Sequence, residues 1–154
     1  MTSPEQPELV IRRASRGDLD LVLSVDDLFR YPPTAEWTRD FLDNGSNLLL
    51  LAFHDDVPVG MLVAVETGYM GASPDLFVYG IRVSEPFRGR GIAHRLVDKA
   101  RDIAEEAGCR SLWGSMQHDR DPGADSPLTP PEATTGAAGS TGSTQSTTFV
   151  IPIP

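Results

Sequence analysis

The six residues Arg88-Gly89-Arg90-Gly91-Ile92-Ala93 lie between two contrasting patterns. Before them, Leu76–Val83 is an apolar run with the composition of a buried strand. After them, Ile92, Leu96, Val97, Ala100, Ile103, Ala104 and Ala107 recur at helical spacing, predicting a helix over Gly91–Ala107 that Gly108 closes. Glycines let a backbone approach a ligand closely, and a helix start offers unpaired N–H groups at its positive end. Two guanidinium groups add charge that persists at any physiological pH. Strand, basic glycine turn and helix together make a cradle for a pyrophosphate. Two familiar phosphate motifs do not fit: a dinucleotide fingerprint needs a third glycine where His94 stands, and a P-loop needs a Gly-Lys-Ser/Thr ending.

The charge distribution isolates this turn. The chain has 154 residues and a formal charge of −9. Residues 1–60 hold 11 acids and 5 bases, residues 61–81 hold Glu66 and Asp75 without a base, and residues 111–154 hold 4 acids and 1 base. Only residues 82–110 are positive, with 7 bases against 5 acids. Arg95, Lys99 and Arg101 read as the solvated face of the helix, whereas Arg88 and Arg90 bracket glycines just before it. An acidic chain with one basic turn is a poor match for nucleic acid or an anionic membrane surface, and a good one for a single bound anion.

Around the turn, strands and helices alternate. Leu9–Arg12 reads as a first strand, and Ser15-Arg16-Gly17-Asp18 resembles a capping box opening a helix with Leu19, Val22, Leu23 and Leu28. Thr34 caps a second short helix running to about Asp43, and Asn44-Gly45 turns the chain. Leu48–Phe53 is a buried strand, Asp55-Asp56 a hairpin turn, Val57–Val65 its partner, and Ser111–Met116 a further strand. Pro58 belongs where no ladder hydrogen bond is needed. Of the 28 residues from Asp121 to Thr148, 23 are Gly, Pro, Ser, Thr or Ala, so 121–147 reads as a low-complexity loop or disordered segment. Residues 148–153 return to strand chemistry at a sheet edge. Length, composition and element order predict a single α/β (α+β) domain over 1–154, with a mixed central sheet flanked by helices.

No apolar stretch approaches the ~20 residues of a membrane span. Met1–Glu8 lacks the pattern of a secretory signal, and Cys109 has no partner for an internal disulfide, so a cytoplasmic location is expected. His54, His94 and His118 are far apart without cysteine ligands; only His118 near Asp119 and Asp121 forms a cluster, and no metal is expected. Cys109 follows a helix end, the wrong pole for a thiolate, and no Gly-x-Ser-x-Gly elbow is present. Trp37 and Trp113 read as core or pocket wall.

Arg88, Gly91 and Ala93 fill the defined positions of Arg/Gln-x-x-Gly-x-Gly/Ala, the acetyl-coenzyme A motif of the GNAT N-acetyltransferases. Val78-Tyr79-Gly80-Ile81-Arg82-Val83 resembles that family's fourth strand, whose splayed backbone pairs with the pantetheine arm. The resemblance extends over about residues 8–118 in element order. Within the family, Asp27-Leu28-Phe29, Phe53-His54-Asp55, Val59-Gly60 and Phe77-Val78-Tyr79 resemble the aminoglycoside 3-N-acetyltransferases.

The resemblance implies acetyl-CoA as cosubstrate, held by Ile81, Arg82 and Val83 on the strand and by Arg88, Gly89, Arg90, Gly91, Ile92 and Ala93 at the turn. It implies direct transfer to a primary amine of a small cationic molecule, with the carbonyl oxygen polarised by a strand N–H near Ile81 or Arg82. Asp26, Asp27, Glu36, Asp40, Glu66 and Asp75 are available to attract a cation. Asp75, at the start of the fourth strand, is the first candidate for the base, through water; Glu66, ending the third strand, is the next; Tyr79 is a candidate acid or substrate contact. Two departures stand out. Gly80 occupies a place where aminoglycoside-modifying relatives commonly have Asp, and Thr135, in an eroded helix pattern over 130–139, aligns with the tyrosine that usually protonates the thiolate. They motivate an alternative of another class, a degenerate GNAT domain that binds acetyl-CoA or CoA without efficient catalysis. Protein or peptide amines are a second enzymatic option. The family often dimerises, and the carboxy-terminal edge strand is a candidate contact.

Overall fold

The computed structural model describes residues 9–29, 31–68, 70–117, 134–135 and 146–153. Strand β1 is Leu9–Arg13, helix α1 Leu19–Ser24, α2 Ala35–Asp43, β2 Asn47–His54, β3 Val57–Thr67, β4 Asp75–Val83, α3 Ile92–Glu106, β5 Ser111–Gln117, β6 Thr134–Thr135 and β7 Ser146–Pro152. They form one mixed sheet in the order β1-β2-β3-β4-β5-β7-β6. Every neighbouring pair is antiparallel except β4 and β5, which α3 connects in parallel.

Burial follows the apolar pattern. Leu48–Phe53 of β2 is buried throughout because both faces of the sheet are covered. On one face Leu50, Leu62, Val78, Leu112 and Phe149 meet Leu96, Val97 and Ala100 of α3. On the other, Leu49, Leu51 and Met61 pack with Val22 of α1, Leu28 and, from α2, Phe41. The turn between β2 and β3 places Asp55 and Asp56 at φ 50° and 64°, the left-handed pair that a two-residue hairpin requires. Pro58 lies beside a register irregularity between Ala52 and Phe53.

The Thr34 hydroxyl accepts the Trp37 N–H at 3.3 Å, as its capping position predicts. At the first helix the outcome is different. The Ser15/Asp18 capping box forms, but the helix stops at Ser24 and continues only as a 3-10 turn over Asp26–Leu28. Val25, at φ −113° and ψ 44°, breaks the path, which lets Leu28 turn into the core. The predicted loop over 121–147 and the His118 cluster lie outside the described residues, apart from β6 and the first two residues of β7. At β6, two residues of the 130–139 stretch pair with β7 as strand.

Asp18 also accepts from both Nη atoms of Arg12, at 2.8 and 2.9 Å, and with the Ser15 N–H these hold its carboxyl down at about 2. A carboxylate depressed in the folded state stabilises above its unfolded pKa and loses that contribution as pH falls through the folded one. Asp18→Asn is therefore expected to cost about 1–2 kcal/mol at neutral pH, and little at pH ~2. Denaturant melts of both proteins across that range would check it.

Candidate active site

The basic turn is built as its composition requires. β4 ends at Val83, Glu85–Phe87 makes a 3-10 turn, and α3 begins at Ile92 with Gly91 as its cap. Gly89 and Gly91 both have φ 79°, the left-handed region that side chains avoid. The first helical bond runs from the Arg95 N–H to the Gly91 carbonyl, so the N–H groups of Ile92, Ala93 and His94 precede the ladder. Arg88 folds back, its Nε donating to the Val83 carbonyl at 3.0 Å, which fixes the turn to the end of β4. Arg90 is exposed and stacks over the Phe87 ring at 5.1 Å. Ile92 and Ala93 are buried with α3's apolar face, so they present backbone rather than side chain to a ligand.

On β4 itself, Val83 is buried, Ile81 packs against the α3 core and Arg82 is exposed. Pairing between β4 and β5 stops at Val78–Gly114, although β4 runs five residues further and β5 three. On its other edge β4 stays paired to β3, with an irregularity where Val63 faces Gly80 and Ala64 faces Val78. Tyr79 is the extra residue of that bulge. The two strands thus diverge from one point, leaving the Tyr79–Val83 edge of β4 open toward β5. This segment spans about 13 Å and leads from Tyr79 to the basic turn. Gly114 marks the divergence: a Cβ there would lie 2.5 Å from the Val78 carbonyl oxygen and 3.0 Å from the Phe149 ring. At Gly80 a Cβ would meet nothing within 4 Å, so packing leaves room for a side chain there.

Beside the bulge, on the face opposite α3, a cavity of about 570 Å³ opens between α2 and the sheet. Trp37 and Phe41, stacked at 5.1 Å, form its helix side together with Asp40. Val63, Val65 and Tyr79 form its sheet side, and Asn44 and Asn47 close one end. The Tyr79 ring stands edge-on to Phe77 at 4.6 Å, and Phe77 is likewise edge-on to Trp113 at 4.5 Å.

Of the three candidate catalytic residues, only Tyr79 lines this cavity. Asp75 lies at the far end of β4, where its Oδ1 accepts from Arg110 Nε at 3.0 Å and Ser111 Oγ at 2.7 Å. These partners hold its carboxyl below the usual carboxylate range. Glu66 lines a separate small recess on the α3 side with Arg13, Leu76, Ile103 and Cys109. Of Asp27, Glu36, Asp40, Glu66 and Asp75, Asp40 lines the cavity. Phe41 and the Val63/Val65 pair also line the cavity, beyond the candidate residues of the sequence. Their signals were the i, i+4 spacing of Trp37 and Phe41 and the alternation of β3.

The chain matches the model of the Acetyltransferase (GNAT) family over residues 19–124. It belongs to that family. Among curated proteins no match is found. Several solved GNAT structures share the fold. Arabidopsis thaliana NAA60 in complex with a bisubstrate analogue superposes with a TM-score of 0.69 at 18% identity, covering 94% of this chain and 98% of that one. The aminoglycoside N-acetyltransferase AAC(6')-Iy in complex with CoA gives 0.62 at 23% identity, covering 79% and 82%. An aminoglycoside acetyltransferase from an uncultured soil metagenomic sample, in complex with sisomicin, gives 0.61 at 21%, covering 73% and 78%. This chain is a GNAT-type N-acetyltransferase with a mixed sheet and helices on both faces. No helix among its described residues is long and apolar enough to cross a membrane.

Proposed function

We propose that this GNAT domain transfers the acetyl group of acetyl-CoA to the primary amine of a small cationic acceptor seated in the α2–β4 cavity. The observation that carries the reading is the double position of Tyr79. It is the bulge residue where β4 parts from β5, and it is also a wall of the cavity.

The fit to the cosubstrate rests on the turn and the open strand edge. Gly89 and Gly91 turn backbone outward, α3's first-turn N–H groups with Arg88 and Arg90 suit a pyrophosphate, and Ile81–Val83 offers a peptide edge for an amide-bearing arm. Acetyl-CoA, when bound, supplies an acetyl group already activated as a thioester. The remaining work falls to the chain. Asp40 holds the acceptor's charge near the cavity wall, and a β4 N–H near Ile81 or Arg82 polarises the carbonyl oxygen. The Tyr79 hydroxyl is assigned the proton donor, and the amine's proton leaves through water in the open cavity. Asp75, engaged with Arg110 and Ser111, is assigned a structural role, clasping the start of β4 to β5. Glu66 faces the other side of the sheet and is assigned no chemistry.

Thiol release from acetyl-CoA over a panel of amines tests the reading. Tyr79→Phe is expected to lower kcat at least ~10-fold with acetyl-CoA affinity nearly unchanged. Asp75→Asn should retain most of kcat and lower Tm by a few degrees. A large kcat loss in Asp75→Asn with none in Tyr79→Phe would reverse the assignment. Saturable acetyl-CoA binding without turnover on any amine would favour the non-catalytic binding domain.

A further inference from the structure

The cavity wall carries more specificity than a generic acidic groove. Trp37 is 59% exposed and Tyr79 65% exposed, two large rings left partly in water on opposite sides of one opening. Between them lie Val63 and Val65. Among the described residues that line the space, Asp40 is the one charged group. Each of the two amides uses one end to shape the loop: Asn44 Oδ1 accepts the Ser46 N–H at 3.0 Å, and Asn47 Nδ2 donates to the Phe41 carbonyl at 3.2 Å.

This inventory suits one kind of acceptor. A polyhydroxylated polycation placed here would bring several ammonium groups to a wall with one carboxylate, and its hydroxyls would cover little of the aromatic and valine surface. A single ammonium on a planar apolar body meets the wall on its own terms. Its body covers ring surface now in water, and its charge faces Asp40 and the aromatic faces. The volume, about 570 Å³, is in the range of small-molecule sites.

Resting on the acetyl-transfer reading above, we propose that the acceptor is a primary monoamine carried on an aromatic or similarly flat apolar body. Trp37 and Tyr79 grip that body, and Asp40 draws the ammonium into the cavity, where it gives its proton to water before the free amine attacks the thioester. Trp37 is then a specificity residue, and Asp40 binds the nitrogen that reacts.

The test pairs calorimetric binding with thiol release, using the full chain saturated with CoA for binding and with acetyl-CoA for turnover. The probes are 2-phenylethylamine, ethylamine and sisomicin. The expected result is 2-phenylethylamine binding at least ~10-fold more tightly than either of the others. Trp37→Ala should remove that preference while ethylamine binding stays within about twofold, and Trp37→Phe should restore most of it. Asp40→Asn should weaken both monoamines alike. Thermal melts matching the wild type show that each variant is folded. Tighter binding of sisomicin, equal losses for both monoamines in Trp37→Ala, or no binding of 2-phenylethylamine would each overturn the assignment. Preferred binding of 2-phenylethylamine without thiol release would leave the pocket assignment standing and overturn acetyl transfer. Release with sisomicin as the best acceptor would do the reverse.

Discussion

Gly114→Ala is expected to cost about 2–3 kcal/mol of stability, because the new methyl group has nowhere to go. It would lie 2.5 Å from the Val78 carbonyl oxygen and 3.0 and 3.2 Å from two carbons of the Phe149 ring. The first is backbone inside the β4–β5 ladder, and Phe149 is fully packed in the core, so neither yields without moving a strand. Tm should fall by roughly 5–10 °C. The functional consequence is larger than the thermal one. Val78–Gly114 is the last pair before the strands part, so pushing them apart there shifts the whole open edge on which acetyl-CoA is proposed to lie. Affinity for acetyl-CoA should drop even at temperatures where the variant is folded. Gly80→Ala, two residues further along β4 and facing open space, serves as the stability control and should melt with the wild type. Equal melting of the two variants would mean that the divergence point is not set by this contact.

Arg88→Ala should weaken acetyl-CoA binding about 10–100-fold, and Arg101→Ala by less than about twofold. Both remove one positive charge from an acidic chain, so a general electrostatic effect would treat them alike. The difference lies in position. Arg88 Nε closes the turn onto the Val83 carbonyl, whereas Arg101 is on the exposed face of α3. Gly91→Ala separates conformation from charge. It keeps both arginines but places a side chain at φ 79°, a strain of about 1–2 kcal/mol that the turn can relieve only by redirecting its N–H groups. Calorimetric titration of the three variants should rank Arg88→Ala and Gly91→Ala together, well apart from Arg101→Ala. Similar small losses in all three would place the anion elsewhere.

The parts of the molecule legible in the sequence are those whose physics is local. The α3 turn combines glycine spacing, two arginines and the start of a 3.6-residue apolar period within a dozen residues, and the structure reproduces each of them. Thr34, the Ser15/Asp18 box and the Asp55-Asp56 turn are likewise decided by neighbours in the chain. Residues whose role depends on distant partners are not decided by their neighbours in the chain. Asp75 reads as an available carboxylate until parallel pairing places Ser111 and Arg110 against it. Glu66 and Val65 are adjacent, yet the pleat sends them to opposite sides of the sheet, one to the α3 recess and the other to the cavity. Tyr79 depends on a bulge that strict alternation does not predict. The cavity joins α2 to two strands that are about 20 to 40 residues away in sequence. Its aromatic character was present in Trp37, Phe41 and Tyr79, but their convergence was not.

Amide hydrogen exchange on the full chain, with and without acetyl-CoA, tests the central claim at the level of single elements. Bound cosubstrate should slow exchange at Ile81–Val83 and over residues 89–94, leaving β1 and the outer face of α3 unchanged. Protection confined to other elements, or none at saturating acetyl-CoA, would contradict the account of where and how this GNAT domain holds its acetyl donor.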